Sequence, residues 1–192
     1  VTRHLGASIR WLLCATVLFG VLYPFTIWVI SHVFFWDKAE GSKVIIQGRA
    51  VGLRYVGQPF SSSKYFFSRP SEASLEPVLI SGASNLSWSS QVLRERVENR
   101  ARALPPACWE VGPEEMIMAS ASGLDPEISV RAALCQVRRI AKARNISEDE
   151  VRALVFKAEE KNVLGLFPRR VNVLRLNCRL DALYAVPASP IE

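Results

Sequence analysis

The stretch WLLCATVLFGVLYPFTIWVISHVFFW, residues 11–36, contains no Asp, Glu, Lys or Arg. Crossing a hydrocarbon core of about 30 Å takes about 20 mostly apolar residues, because every backbone N–H and C=O inside lipid must find its partner within the segment. This run is long enough. A cleaved signal sequence also starts with a basic end and an apolar core, but residues 11–36 outrun such a core. They also close on Val33, Phe34, Phe35 and Trp36, where a peptidase requires small side chains. The reading is therefore a retained membrane helix. Arg3 and Arg10 precede it, whereas Asp37, Lys38 and Glu40 nearly cancel after it, so the positive-inside rule puts the N-terminus in the cytoplasm. The expected organisation is a cytoplasmic N-terminus at 1–10, a transmembrane helix at 11–36 and an extracytoplasmic α+β domain at 37–192. Trp11 and Trp36 stand near the two ends, at the depth where indoles favour the interface.

The 192 residues are 49% hydrophobic and 22% charged, which suits one folded domain beyond the span. The net charge of +6 could suggest nucleic acid. A domain outside the cytoplasm rarely meets it, and attraction to anionic lipid headgroups is the simpler consequence. Of the four cysteines, Cys14 falls in the span, leaving Cys108, Cys135 and Cys178 as an odd set with at most one pair.

After the span, Val44-Ile45-Ile46 and residues 50–60 lean toward strand, punctuated by Gly48, Gly52 and Gly57. Residues 61–90 are rich in Ser and carry Pro70, Pro77 and Gly82, a composition expected of an irregular surface connection of the kind that often binds partners. Leu93, Val97, Ala101 and Leu104 then recur at helical spacing until Pro105-Pro106 stops them. Met116-Ile117-Met118-Ala119 reads as a short strand, and Ser122, Gly123 and Asp125 form a structurally demanding turn. A helical pair follows, one helix over 130–144 and a second opened by Ser147 and Glu150 at capping-box spacing. Strand and helix cannot be told apart by period alone over Val171, Val173 and residues 174–183.

Both histidines, His4 and His32, lie before or at the end of the span, so the domain has none. Triads and common zinc sites lean on imidazole, which disfavours both. Adjacent acids such as Glu114-Glu115 and Asp149-Glu150 could do acid–base work in a membrane-anchored enzyme, but at turns and helix starts they more often cap or stay solvated. Gly41-Ser42-Lys43 lacks the upstream glycine of a phosphate loop. The helical pair is read as a hairpin and not as a DNA-reading helix-turn-helix, given its expected side of the membrane. Gly20 and Pro24 break an otherwise bulky run. With Tyr23 they mark a candidate partner-binding face, although membrane helices also simply tolerate Gly and Pro.

Taken together, the motifs resemble the C subunit of the bacterial Kdp-type potassium-transporting ATPase. Matching pieces run along nearly the whole chain: Gly20-Val21-Leu22-Tyr23-Pro24, Gly57-Gln58-Pro59-Phe60, Tyr65-Phe66, Arg69-Pro70-Ser71, and Ser81-Gly82-Ala83-Ser84-Asn85-Leu86. They continue through residues 119–129, Gln136, Ala141-Lys142-Ala143-Arg144, Val171-Asn172-Val173-Leu174 and Leu176-Asn177. The chain departs from the family pattern at Ala83, Ser90-Gln91, Arg138 and just before Arg170. The resemblance implies a non-catalytic accessory subunit of an ATP-driven potassium uptake complex. Its implied partners are a channel-like potassium-translocating subunit, a P-type ATPase subunit and a small single-span subunit. The family is also described as raising the ATPase subunit's affinity for ATP, which would be a shared ligand and not a firmly bound cofactor, and Gln136 matches the glutamine tied to that proposal. The topology keeps Gln136 away from cytoplasmic nucleotide, so the amide is read first as a helix-surface or helix-packing one. No metal site is expected.

Overall fold

A computed structural model of the chain describes residues 2–72, 80–111, 114–160 and 168–184. The chain separates into two units, Val1–Lys43 and Val44–Glu192. The first is one helical rod followed by a short turn. Helix α1 (Thr2–Val17) passes through a π-helical turn, Leu18–Leu22, into α2 (Tyr23–Phe34). The π turn has a local cause. Pro24 has no N–H and its ring crowds the carbonyl one turn earlier, and widening the helix there relieves it. The Tyr23 N–H accordingly reaches back to the Leu18 carbonyl. His4–Phe34 is the one helix among the described residues that is long and apolar enough to cross a membrane, and its apolar side chains lie bare along it. The helix stops two residues short of Trp36: Phe35 leaves helical geometry at φ −133°, and α3 (Trp36–Ala39) starts a separate turn. His32 sits between Trp28 and Trp36, its ring 4.6 and 6.0 Å from theirs. It behaves as part of an aromatic cluster at the helix end.

The second unit opens with strands β1 (Lys43–Ile46) and β2 (Arg49–Leu53), joined by Gln47 and Gly48. Both linking residues have positive φ, the requirement of a tight type I′ hairpin turn. The strand expected over residues 50–60 thus ends at Leu53. Helix α4 (Gln91–Ala103) is capped by the Ser90 hydroxyl. Its predicted stripe faces inward but is only half-buried. Glu72 compensates by pairing with both Arg96 and Arg100 on that helix. Two short helices follow, α5 (Pro106–Val111) and α6 (Glu114–Ile117). The strand expected at 116–119 is therefore wrong. Met116 lies in a helical turn closed by Met118 N–H on the Glu114 carbonyl, and two acids at its start favour a helix N-terminus. A four-residue apolar run is too short to reveal its period.

Strand β3 (Glu127–Ser129) pairs antiparallel with β4 (Arg170–Asn172), placing Ile128 opposite Val171. Each strand runs straight into a helix, β3 into α7 (Val130–Arg144) and β4 into α9 (Val173–Leu183). The cap residues Ser129 and Asn172 each accept a hydrogen bond from the first turn, satisfying N–H groups that would otherwise be orphaned. Asn145 ends α7 in the left-handed conformation, and Ser147 and Glu150 complete the capping box of α8 (Glu148–Ala158). Ile128, Val137, Ile140, Val151, Val155, Val171, Leu176 and Leu180 form the core that these elements enclose. The result is mixed α and β, with a single apolar helix ahead of it. Pro77 lies outside the described residues.

Candidate functional site

The described parts of the long connection after β2, residues 54–72 and 80–90, are tied down. Gly57, Arg69, Pro70, Ser71, Ser81 and Gly82 all attach to one turn at residues 120–125. Gly57 N–H donates to the Leu124 carbonyl at 2.8 Å, Ser120 N–H to the Pro70 carbonyl at 2.9 Å, and the Ser71 hydroxyl to the Gly123 carbonyl at 2.8 Å. The Ser122 carbonyl accepts from both the Ser81 hydroxyl and the Gly82 N–H, each at 2.9 Å. Arg69 pairs with Asp125 at 3.2 Å.

The turn that receives these bonds is built locally. Ser122 Oγ accepts the Leu124 N–H, and Asp125 Oδ1 accepts the Glu127 N–H, two side-chain-made turns back to back. Gly123 is buried between them at φ +70°, where a Cβ is strained. Gly123→Val is expected to cost about 1–3 kcal/mol, and thermal melting of the purified chain checks it: an unchanged midpoint would show that the turn relaxes. Gly57 is required for a different reason. A Cβ there would stand 2.8 Å from the Asp125 carbonyl oxygen, a backbone atom that cannot move aside cheaply.

A second cluster grips the middle of the same connection. Residues 63–67 have no neighbouring strand among the described residues, yet buried backbone polar groups must be paired. Side chains from α7 and α9 do this. Asn177 accepts the Phe66 N–H at 2.8 Å and donates to its carbonyl at 3.0 Å, while Gln136 does the same for Phe67 at 2.8 and 3.1 Å. Each carboxamide thus stands in for one residue of a missing strand. Arg139 stacks on the Phe67 ring, 3.9 Å from its centroid, and donates to the carbonyls of Ser63 and Tyr65 and to Gln136 Oε1. Burial pushes its guanidinium down to about 10, still charged at neutral pH. Arg144, its side chain only 1% exposed, lies over Tyr65, donates to the Lys64 carbonyl and pairs with Asp181 at 2.6 Å.

Gln136 therefore sits in the interior with both ends of its amide engaged. Contact with ATP would require it to release Phe67. Asn177, Arg139 and Arg144 were not singled out as clamps from the sequence. Their signal was a polar residue inside an apolar stripe, as Asn177 stands among Val173, Leu176 and Leu180 on α9. Gly20, Tyr23 and Pro24 remain exposed on the first unit, and a Cβ on Gly20 would meet only the Thr16 methyl at 3.8 Å. The acids weighed for catalysis are held elsewhere. Glu115 accepts the Ser129 N–H and faces Arg170, and Glu150 caps α8. No group of His, Cys, Asp and Glu among the described residues could hold a metal ion. Cys108 and Cys135 form a disulfide, 27 residues apart in sequence, that ties α5 to α7.

A family described as KdpC, the c chain of K+-transporting ATPase, matches residues 5–182. Curated relatives are named potassium-transporting ATPase KdpC subunits. That of Koribacter versatilis is 40% identical over 96% of this chain and 97% of its own. The one from Burkholderia ambifaria is 43% identical over 88% and 91%, and the one from Leptospira interrogans 36% over 95% of each. Nearly every fragment that carried the resemblance, from Gly57 to Asn177, takes part in one of the two clusters above. The chain belongs to the KdpC family.

Proposed function

We propose that the chain is the non-catalytic accessory subunit of an ATP-driven potassium uptake complex, anchored by its single helix and acting through contacts with partner subunits. The observation that carries this reading is the convergence of the motif residues on holding the described parts of one connection, residues 54–72 and 80–90, against α7, α9 and the 120–125 turn. A scaffold that spends so many side chains on ordering a surface segment lowers the entropy lost when that segment meets a partner. Tyr55, Ile80 and Trp88 stand exposed along it. Its partners on this reading are the channel-like potassium-translocating subunit, the P-type ATPase subunit and the small single-span subunit. Any effect on the ATP affinity of the ATPase subunit passes through these contacts, with Gln136 acting by positioning Phe67. Labelling with an azido-ATP probe tests that point: label recovered on α7 would replace positioning by direct contact.

The domain is placed outside the cytoplasm. Arg3 and Arg10 support this through the positive-inside rule, and the Cys108–Cys135 disulfide supports it independently, since such bonds persist in oxidising compartments. In a chain whose Cys14 and Cys178 are serine, Ser62→Cys is expected to react with an impermeant maleimide added to spheroplasts. Reaction only after lysis would reverse the topology.

The helix is proposed to dock as well as anchor. Without a hydrophobic drive between helices in lipid, association depends on close packing, and Gly20 removes bulk within the proline-induced π turn. A Cβ at Gly20 meets only the Thr16 methyl, at ordinary contact distance, so Gly20→Leu is the variant that adds bulk there. Normal membrane levels are expected, with loss of the chain from the detergent-purified potassium pump; wild-type yield and potassium-stimulated ATPase activity would leave the helix as an anchor only.

A further inference from the structure

We propose that Cys108 and Cys135 are a maturation site, oxidised by an extracytoplasmic disulfide donor while α5 is still undocked from α7. The resulting bond then fixes α5 in place. The inference rests on the extracytoplasmic placement of the domain. Three features of the fold carry it.

In the folded domain Cys108 is 1% and Cys135 5% exposed, so no protein donor reaches either sulfur. Exchange requires a thiolate to attack in line with an accessible disulfide. Oxidation therefore precedes the closing of α5 onto α7. The second feature is what the described side chains of α5 contribute. Among its described side chains only Cys108 is buried, and Trp109 beside it is exposed. Neighbouring α4 buries no residue fully. Of the side chains described on α5, the one that is buried is the one that forms the bond, so we infer that before oxidation the two thiols are open to exchange.

Third, the remaining cysteine of the domain is a poor competitor. Cys178 lies half-buried on α9, and burial with the nearby Asp181 carboxylate holds its thiol above the usual range, so little thiolate is present to attack. Cys14 belongs to the membrane helix.

The chemistry balances as two successive exchanges. One cysteine thiolate attacks the donor disulfide, forming a mixed disulfide and expelling one donor thiolate. The second cysteine, having lost its proton, attacks the chain's own sulfur in that mixed bond and expels the other. Two thiols have become one disulfide, and the donor leaves as a dithiol carrying the two electrons and two protons.

Counting thiols on the full chain tests this. Denatured protein from ordinary cells, taken without reductant, is expected to take up two polyethylene-glycol maleimides, at Cys14 and Cys178, and four after reduction. Protein from cells lacking the dithiol oxidant of that compartment is expected to take up four without reduction. Two in both strains would overturn the need for a donor, and four in ordinary cells would overturn the site itself. Dithiothreitol should open the bond in the native chain roughly tenfold or more slowly than in denaturant; equal rates would overturn the order of events. Spheroplast labelling of Ser62→Cys separates the two failures. Outside labelling with four free thiols sinks this proposal alone, whereas labelling only after lysis sinks the placement on which it rests.

Discussion

Asn177→Leu is expected to lower the stability of the domain by about 3 kcal/mol, although it keeps the branching and heavy-atom count of the side chain and adds apolar surface to a buried helix face. The cost comes from Phe66. That residue is 0% exposed, and its N–H and C=O are both paired with the Asn177 carboxamide. Leucine leaves two buried backbone groups without partners, each costing about 1–3 kcal/mol of unrecovered desolvation, against a smaller gain from the added apolar contact. For a chain of this size the thermal midpoint should fall by about 6–12 °C. Gln91→Leu, which alters an amide on the exposed face of α4, is the control and should stay within about 0.5 kcal/mol. A midpoint for Asn177→Leu that matches the control would mean that residues 65–67 find other partners and are not clamped.

The second large effect belongs to the covalent tie. Replacing Cys108 and Cys135 together by alanine frees a loop of 27 residues' separation in the unfolded chain. Loop-closure entropy puts the loss at about 3.5 kcal/mol, equivalent to a fall of about 7–14 °C in the midpoint. Alanine is chosen over serine so that no unpaired hydroxyl is buried between α5 and α7. Calorimetry of the detergent-solubilised chain, with and without reductant, checks the number. Reductant should lower the wild-type midpoint once the bond has opened and leave the double variant unmoved. A shift in the double variant would assign the effect to another group.

These two expectations rest on parts of the fold that the sequence revealed unequally. Residues 11–36 read as one long apolar helix because lipid would leave the backbone no other solution, and the structure forms a helix, His4–Phe34, long and apolar enough to cross a membrane. Helices α7 and α8 were legible for a similar reason: their apolar stripes repeat at helical period, and Ser147 with Glu150 caps within four residues of chain. Gly123 was legible as a turn residue because its constraint is its own φ. The ordered motif fragments were enough to point to the family. All of these are local facts, set by neighbours a few positions away.

What only the tertiary structure decided is where the polar residues of those motifs go. Gln136 lies 69 residues from Phe67, and Asn177 lies 111 from Phe66. No period or spacing encodes such pairs, because the requirement they meet, a buried peptide with no strand beside it, exists only once α7 and α9 have packed. The pairing of Cys108 with Cys135 was open for the same reason, since three cysteines in the domain allow three pairings and only distance chooses among them. Met116 was misread as strand because four residues cannot distinguish one turn of helix from a strand. Its conformation is settled by β3 taking β4 as its partner and by the two acids that start α6.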